Sequence, residues 1–367
     1  MAGSLAAAML GRAGVPTVLV DPNRVYPPDF RCEKLERSQI ARLRETGLAD
    51  ELLPTMTPSE MLWVARYGHV IDRRADDQVD ARYEGMVAAT RALLGGSVRF
   101  RVGKVTAIQN SPQQQVLTLA DDSQIAARVV VLATGPSPRL PAALGFQRVV
   151  SSRQHSLSIG FDLVPMEGRA FPFQALTWYP HRSPEGIAYL TLFPIGSVTR
   201  ANLFVYWGPS DLWAQRFRDA PARALREALP GLERVAGPFA IPGGARLRLV
   251  DLYTTEALDQ PGVVLIGDAH SSSCPAAGTG LDKVFTDVAR LCGTHIPRWL
   301  AGGSAGVPQL RSFYADKEKV ACDVWSLARA HHTRDAAVAR SVLWRLRRRA
   351  SFFGQVGVGL LRAVLAR

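Results

Sequence analysis

The sequence predicts an α/β fold in which one wound strand–helix unit is assembled from two separated segments, with a mixed or antiparallel sheet inserted between them and a helical tail after them. Three observations predict it. Residues 3–13 read as a helix of small residues, followed by a turn at Gly14-Val15-Pro16 and a buried strand, Thr17–Val20, ending at Asp21. Far downstream, Val263–Ile266 reads as another buried strand, ending in Gly267-Asp268 and leading through a small-residue loop to a helix that starts near Gly280. Between them, Ser156–Leu163, Ala170–Tyr179, Ile187–Ile195 and Ala201–Trp207 are strand runs rich in aromatics, the last two joined by turn residues 196–200. The expected division is 1–146 for the first segment, 147–257 for the inserted sheet, 258–300 for the second segment and 301–367 for the helical region.

The remaining elements follow in order. After Phe30-Arg31-Cys32 comes a helix over Ser38–Leu53, with Ile40, Leu43, Leu48 and Leu52 on its apolar face. Residues 61–73 alternate like a hairpin, and Tyr83–Leu94 is a helix. Val98–Ile108, Gln115–Leu119 and Ile125–Leu132 read as strands, the last ending in Ala133-Thr134-Gly135 before a proline-rich break. Residues 211–229 form a short amphipathic helix and 310–334 are helical. The tail, Ala336–Arg367, mixes large apolar residues with arginines. It could lie on an anionic membrane, on a partner, or on the body of the protein, and Gly354, Gly357 and Gly359 weaken it as a helix.

Composition narrows the function classes. Hydrophobic content of 47% with 21% charged residues belongs to a folded chain and excludes disorder. The net charge of +12 is carried almost wholly by arginine. It allows anionic ligands or membrane surfaces, whereas the spread of the basic residues and the lack of a recognition motif argue against nucleic acid. Cys32, Cys274, Cys292 and Cys322 lack the spacing of a zinc site or a disulfide framework, so no metal is expected and a reducing cytoplasm is. No apolar run reaches the roughly 18 residues of a spanning helix. The first residues lack the basic start of a secretion signal.

The chemistry concentrates at residues 267–287, G-D-A-H-x4-P-x2-G-x-G-x6-D. An acid at the end of a buried strand, facing a glycine-lined helix N-terminus, suits a polyol phosphate. The carboxylate of Asp268 accepts hydroxyl hydrogens, and the helix N–H groups hold negative charge. Gly278 and Gly280 let a ligand approach the backbone. Asp21, 18 positions after Gly3, has the spacing of a Rossmann carboxylate on a ribose hydroxyl, and Gly3 fits the last glycine of the G-x-G-x-x-G fingerprint.

Together these residues resemble the FAD-dependent monooxygenases of the aromatic-hydroxylase type. The resemblance implies a Rossmann-like FAD-binding domain with an inserted substrate sheet. It places Gly3, Asp21 and the backbone at Val105 on the adenosine half, Arg31 near the diphosphate with Gln39 close by, and Gly135 at the closing strand. Gly267 and Asp268 would hold the ribityl chain. Pro275 and Gly278 would sit against the flavin ring, with the N–H groups of Gly280, Leu281 and Asp282 stabilising negative charge on it. NADH or NADPH would reduce the flavin, and O2 would add to give a hydroperoxide that hydroxylates a small apolar or aromatic molecule. No catalytic acid–base residue is assigned. Family members commonly carry asparagine where this chain has Asp282, and a carboxylate pointing at the ring would oppose reduction. Trp178, Tyr179, His181, Phe193, Tyr206 and Trp207 could line the substrate pocket. The first strand and phosphate-turn glycines do not precede Gly3, so a misassigned start or a truncated chain is expected. Two other readings stand beside the monooxygenase: a flavin-dependent reductase of the isoprenoid-reductase type, and a homologue that no longer binds FAD.

Overall fold

The computed structural model describes residues 1–166, 168–180, 186–303 and 305–365. Its first helix, Ala2–Arg12, is placed by small residues. A Cβ on Gly3 would stand 3.2 Å from that of Ala133, and one on Gly11 would meet Val98 Cγ2 at 2.5 Å. The bare glycines therefore let the helix settle directly on strands. Strand Thr17–Asp21 pairs in parallel with Val98–Val102, and Val130–Leu132 pairs in parallel with Val263–Leu265. Val263, Val264 and Leu265 are wholly buried, as befits a parallel strand covered on both faces. Helices Ala2–Arg12 and Gly280–Arg290 share one apolar core through Leu5, Leu10, Phe285 and Val288. This is the Rossmann-like layer.

Three runs read as continuous are divided. Val98–Ile108 is two strands, because the Gly103 N–H bonds to the Asp21 carbonyl and ends the parallel pairing. Val105–Gln109 then joins Gln115–Leu119 and Gln124–Ala127 in a separate antiparallel sheet. The helix expected over 38–53 breaks at Gly47, whose φ is 70°, into Arg37–Glu45 and Ala49–Leu52. That over 211–229 restarts at Pro221, giving Leu212–Asp219 and Pro221–Ala228.

A mixed nine-stranded sheet dominates the rest. Gln147–Pro165, 19 residues long, pairs with Val198–Val205 on one side and with Arg246–Glu256 on the other. Ile187–Ile195 and Ala175–Tyr179 continue the sheet. Ala175–Tyr179 then pairs in parallel with Thr57–Arg66, Thr177 opposite Val64. The hairpin expected at 61–73 is longer, Thr57–Arg66 and His69–Arg82, turning at Tyr67-Gly68 with both φ positive. Cys32–Leu35 closes that edge. So the strand Cys32–Leu35 and the hairpin, both within 1–146, are members of the large sheet.

One face of this sheet packs on the helices Leu212–Asp219 and Pro221–Ala228 through Leu176, Trp178, Leu190, Leu203 and Phe217. Trp178 and Trp207 belong to this core and not to a pocket. Trp178 has no exposed surface, and Trp207 stacks on Trp213 at 6.0 Å. Alternation sends Trp178 to the opposite face from Thr177 and Tyr179.

After helices Val307–Tyr314 and Lys317–Val338, the tail forms a helix, Val342–Leu365, straight through its glycines. A Cβ on Gly359 would lie 2.1 Å from the Ile71 carbonyl oxygen, so glycine there permits contact with the hairpin. Arg362 pairs with Asp72 at 2.5 Å. Because Trp178 is core, Trp178→Ala should lower unfolding free energy by about 3–5 kcal/mol in urea titrations, and a loss below ~1 kcal/mol would contradict its placement.

Candidate functional site

A cavity of about 1340 Å³ runs between the Rossmann-like layer and the free face of the large sheet. That is larger than the roughly 300–1,000 Å³ of an ordinary small-molecule pocket. One end is built by the 267–287 segment. Gly267 turns with φ 58°, and its N–H donates to Asp287 Oδ2 at 2.8 Å. This places Asp268 on the cavity wall, its carbonyl accepting from the Tyr253 hydroxyl at 2.7 Å. Asp287 Oδ1 accepts from Lys319 Nζ at 2.7 Å, and Lys319 also bonds Asp323 at 3.0 Å. His270 Nδ1 lies 3.3 Å from Lys319 Nζ. Burial first, and Lys319 second, push the His270 pKa down to about 3, so it stays neutral and supports the loop.

The loop that follows is held by its carbonyls. Pro275–Ala277 form a 3-10 turn and Gly278 is left-handed at φ 67°. Ala276 O accepts from the Tyr189 hydroxyl, Ala277 O from Arg329 Nε and Gly278 O from Gln39 Nε2, each at 2.8 Å. Helix Gly280–Arg290 begins immediately after, and Lys283 N–H closes its first turn on Thr279 O. Gly280 and Leu281 at its start therefore bring helix-terminal N–H groups to the cavity wall. Asp282 also reaches the wall, but its carboxylate is turned to the protein. Oδ2 accepts from Gln39 Nε2 at 3.0 Å and Oδ1 is 3.2 Å from Arg42 Nε. The feared carboxylate is thus held away by a cation and an amide.

Arg31, Gln39, Gly135, Gly267, Asp268, Pro275, Gly278, Gly280, Leu281 and Asp282 all line this cavity, and so does Glu33. Arg31 is braced by Asp29 Oδ2 and the Tyr26 hydroxyl, each at 2.7 Å, with its guanidinium 3.8 Å over the Tyr83 ring. The residues fit FAD. Gly135 and Gly278 have positive φ and open space where a side chain would stand, leaving the backbone accessible, and an arginine, a strand-end acid and a helix N-terminus surround the same space. Three of the residues predicted to bind the cofactor are not brought to the cavity. Gly3 packs on Ala133. Asp21 accepts from Asn23 N–H at 2.8 Å and from Arg91 at 2.7 Å. Val105 belongs to the separate three-stranded sheet.

The other end of the cavity is the sheet face. Tyr179 and Phe193 line it as expected. Tyr206 does not: it meets the His155 ring edge-on at 5.9 Å, beyond the end of its strand. His181 lies outside the described residues. Sequence reasoning missed Thr177, Tyr189, Thr191, Asn202 and Phe204, with Leu62 and Val64 from the hairpin. Alternation outward from Tyr179 and Phe193 was the available signal for most of them. Arg66, opposite Tyr179 in the parallel pairing, lies 4.9 Å over that ring, and its Nη1 is buried with no hydrogen-bond partner among the described residues.

Comparisons agree with this geometry. No curated protein matches the chain by sequence. Among solved structures, p-nitrophenol 4-monooxygenase PnpA from Pseudomonas putida superposes with a TM-score of 0.76 at 16% identity, covering 100% of this chain and 94% of that one. HpxO from Klebsiella pneumoniae, solved with FAD and uric acid, gives 0.71 at 15% identity, covering 100% and 93%. The flavin-dependent brominase Bmp2 gives 0.70 at 17% identity, covering 97% and 90%. The family described as FAD binding domain matches residues 1–325. With the cradle, the architecture and that match in agreement, the chain belongs to the FAD binding domain family and shares the fold of flavin-dependent monooxygenases such as PnpA.

Proposed function

We propose that the protein is an NAD(P)H- and O2-dependent monooxygenase that hydroxylates a small apolar or aromatic molecule. The observation that carries this reading is the continuity of the cavity. The arc from Asp268 to Asp282 opens directly onto a chamber walled by Leu62, Val64, Thr177, Tyr189, Phe193 and Phe204, where Asp72, opposite Val64, is already paired with Arg362. Such a wall suits a reaction whose difficult step belongs to a cofactor. FAD, when bound, supplies the electron transfer and oxygen activation.

The protein's own part is positioning. Tyr189, Arg329 and Gln39 fix three successive carbonyls, so the N–H groups of Gly280 and Leu281 are preorganised to stabilise negative charge on the ring. Thr177, Thr191 and Asn202 offer neutral polar tips within the chamber. Arg66 offers a cation at its side, which suits a substrate carrying a phenolate, carboxylate or carbonyl oxygen. A reductase acting on a prenyl chain is the second reading, favoured by the apolar outer face of the tail helix.

Glu33 sits on the same wall. Burial raises its pKa to about 7, with Arg31 opposing and Asp268 adding to the rise. Above that value it adds a negative charge beside an anionic cofactor.

Three outcomes test the reading. With a suitable phenol, NADH or NADPH oxidation should be matched by O2 uptake and an oxygenated product; turnover only without O2, on a prenyl chain, would favour the reductase. Arg66→Met should raise KM about tenfold or more while kcat changes little, because the lost contact is made equally in ground and transition states; an unchanged KM removes Arg66 from the substrate. For Glu33 the folded chain keeps, between about 4.5 and 7, a proton that the unfolded chain has released. Stability should therefore fall as pH rises across that window and level off above it, while FAD affinity weakens as pH passes about 7. Glu33→Gln should flatten both profiles in chemical denaturation and flavin titration, and profiles unchanged by it would rule Glu33 out.

A further inference from the structure

The tail helix Val342–Leu365 has two faces of different character. Trp344, Arg348, Ser351, Gln355 and Gly359 recur at helical spacing on the inner face; the first four line the cavity, and Gly359 abuts the Ile71 carbonyl. Half a turn away stand Val342, Leu346, Phe353, Leu360 and Val364, between 57% and 70% exposed. At 1.5 Å per residue this stripe runs about 33 Å. A contiguous apolar surface of that length is not an ordinary solvent-facing surface.

Charge indicates what covers it. Arg345 and Arg349 are exposed and follow the stripe along one border, and Arg347 is exposed on the other. Seven arginines and no acidic residue follow Asp335. Among the described residues no helix is long and apolar enough to cross a membrane. An apolar stripe bordered by arginines, on a helix that does not span, has the design of one lying in the headgroup layer of an anionic bilayer. Two copies of this face would bring their arginine rows together, which disfavours self-association. We propose that the Val342–Leu365 helix docks the protein on an anionic membrane surface, with the cavity-lining side of the helix turned away from the lipid. The docking stands independently of the reaction assigned to the site.

The test uses the full chain with bound FAD and two vesicle preparations, phosphatidylglycerol mixed with phosphatidylcholine and phosphatidylcholine alone. The wild type should sediment with the anionic vesicles and largely remain in solution with the neutral ones, and added salt should weaken the binding. Arg345→Gln with Arg349→Gln should weaken partitioning roughly thirtyfold. Leu346→Ser with Phe353→Ser and Leu360→Ser should abolish it, with flavin content and melting temperature showing that the fold is kept. Equal binding to both vesicles, or none to either, overturns the proposal. So does a concentration-dependent dimer that the serine variants dissociate without any vesicle binding in the wild type.

Discussion

The carboxylate of Asp287 is the point on which the site depends. It is almost wholly buried, and it joins three elements that are distant in sequence. One oxygen receives the Gly267 N–H at the end of a parallel strand, the other receives Lys319 from the helix Lys317–Val338, and Asp287 itself sits on Gly280–Arg290. Two charges this deep are costly to desolvate, and losing one partner of such a pair costs about 3–5 kcal/mol because the other is stranded. The pair is therefore weak evidence for stability and strong evidence for geometry. It fixes the angle between the strand that carries Asp268 and the helix whose N-terminus faces the same space. Asp323 and Lys283 extend the network, with Lys283 3.2 Å from Asp323 and 3.1 Å from Ser271 O, so the charges are compensated in place.

From that anchor the loop is shaped by what its carbonyls cannot do. Ala276, Ala277 and Gly278 are each bound by a side chain from a different element, which leaves no freedom for the peptide planes to rotate. Gln39 performs two tasks, holding Gly278 and drawing Asp282 aside. Burial raises the Asp282 pKa, while Gln39 and Arg42 oppose the rise. An acid beside a helix N-terminus is thus accommodated by neighbours contributed from the helix Arg37–Glu45.

The 267–287 pattern was legible because its constraints are local. A glycine at positive φ, a strand-end acid and a helix start stand at fixed separations on one short stretch. Asp287 belonged to the pattern, but its partner Lys319 comes from a helix with no matching signal, so its role could not be read. Sequence proximity places Gln39 beside Arg31, whereas in the fold it acts on a loop 239 residues away. The hairpin Thr57–Arg82 was recognisable, whereas its parallel pairing with Ala175–Tyr179 is a long-range choice that leaves no mark on either strand. The aromatic positions failed for a different reason. Tyr179 and Trp178 are adjacent and equally plausible, and only the sheet's facing, set by helices Leu212–Asp219 and Pro221–Ala228, decides which meets the cavity.

That alternation has a consequence for how the protein can change over generations. Along Ala175–Tyr179, Ile187–Ile195 and Val198–Val205, residues of one parity maintain the hydrophobic core and those of the other parity meet the cavity. Selection on what the chamber accepts can therefore act on Thr177, Thr191, Asn202 and Phe204 while the buried set on the reverse face is left intact. The strand Gln147–Pro165 keeps the chamber in register with the cradle during such drift, since it pairs with Arg246–Glu256 along most of its length. The substrate repertoire is a separable trait, inherited on a scaffold that need not be rebuilt.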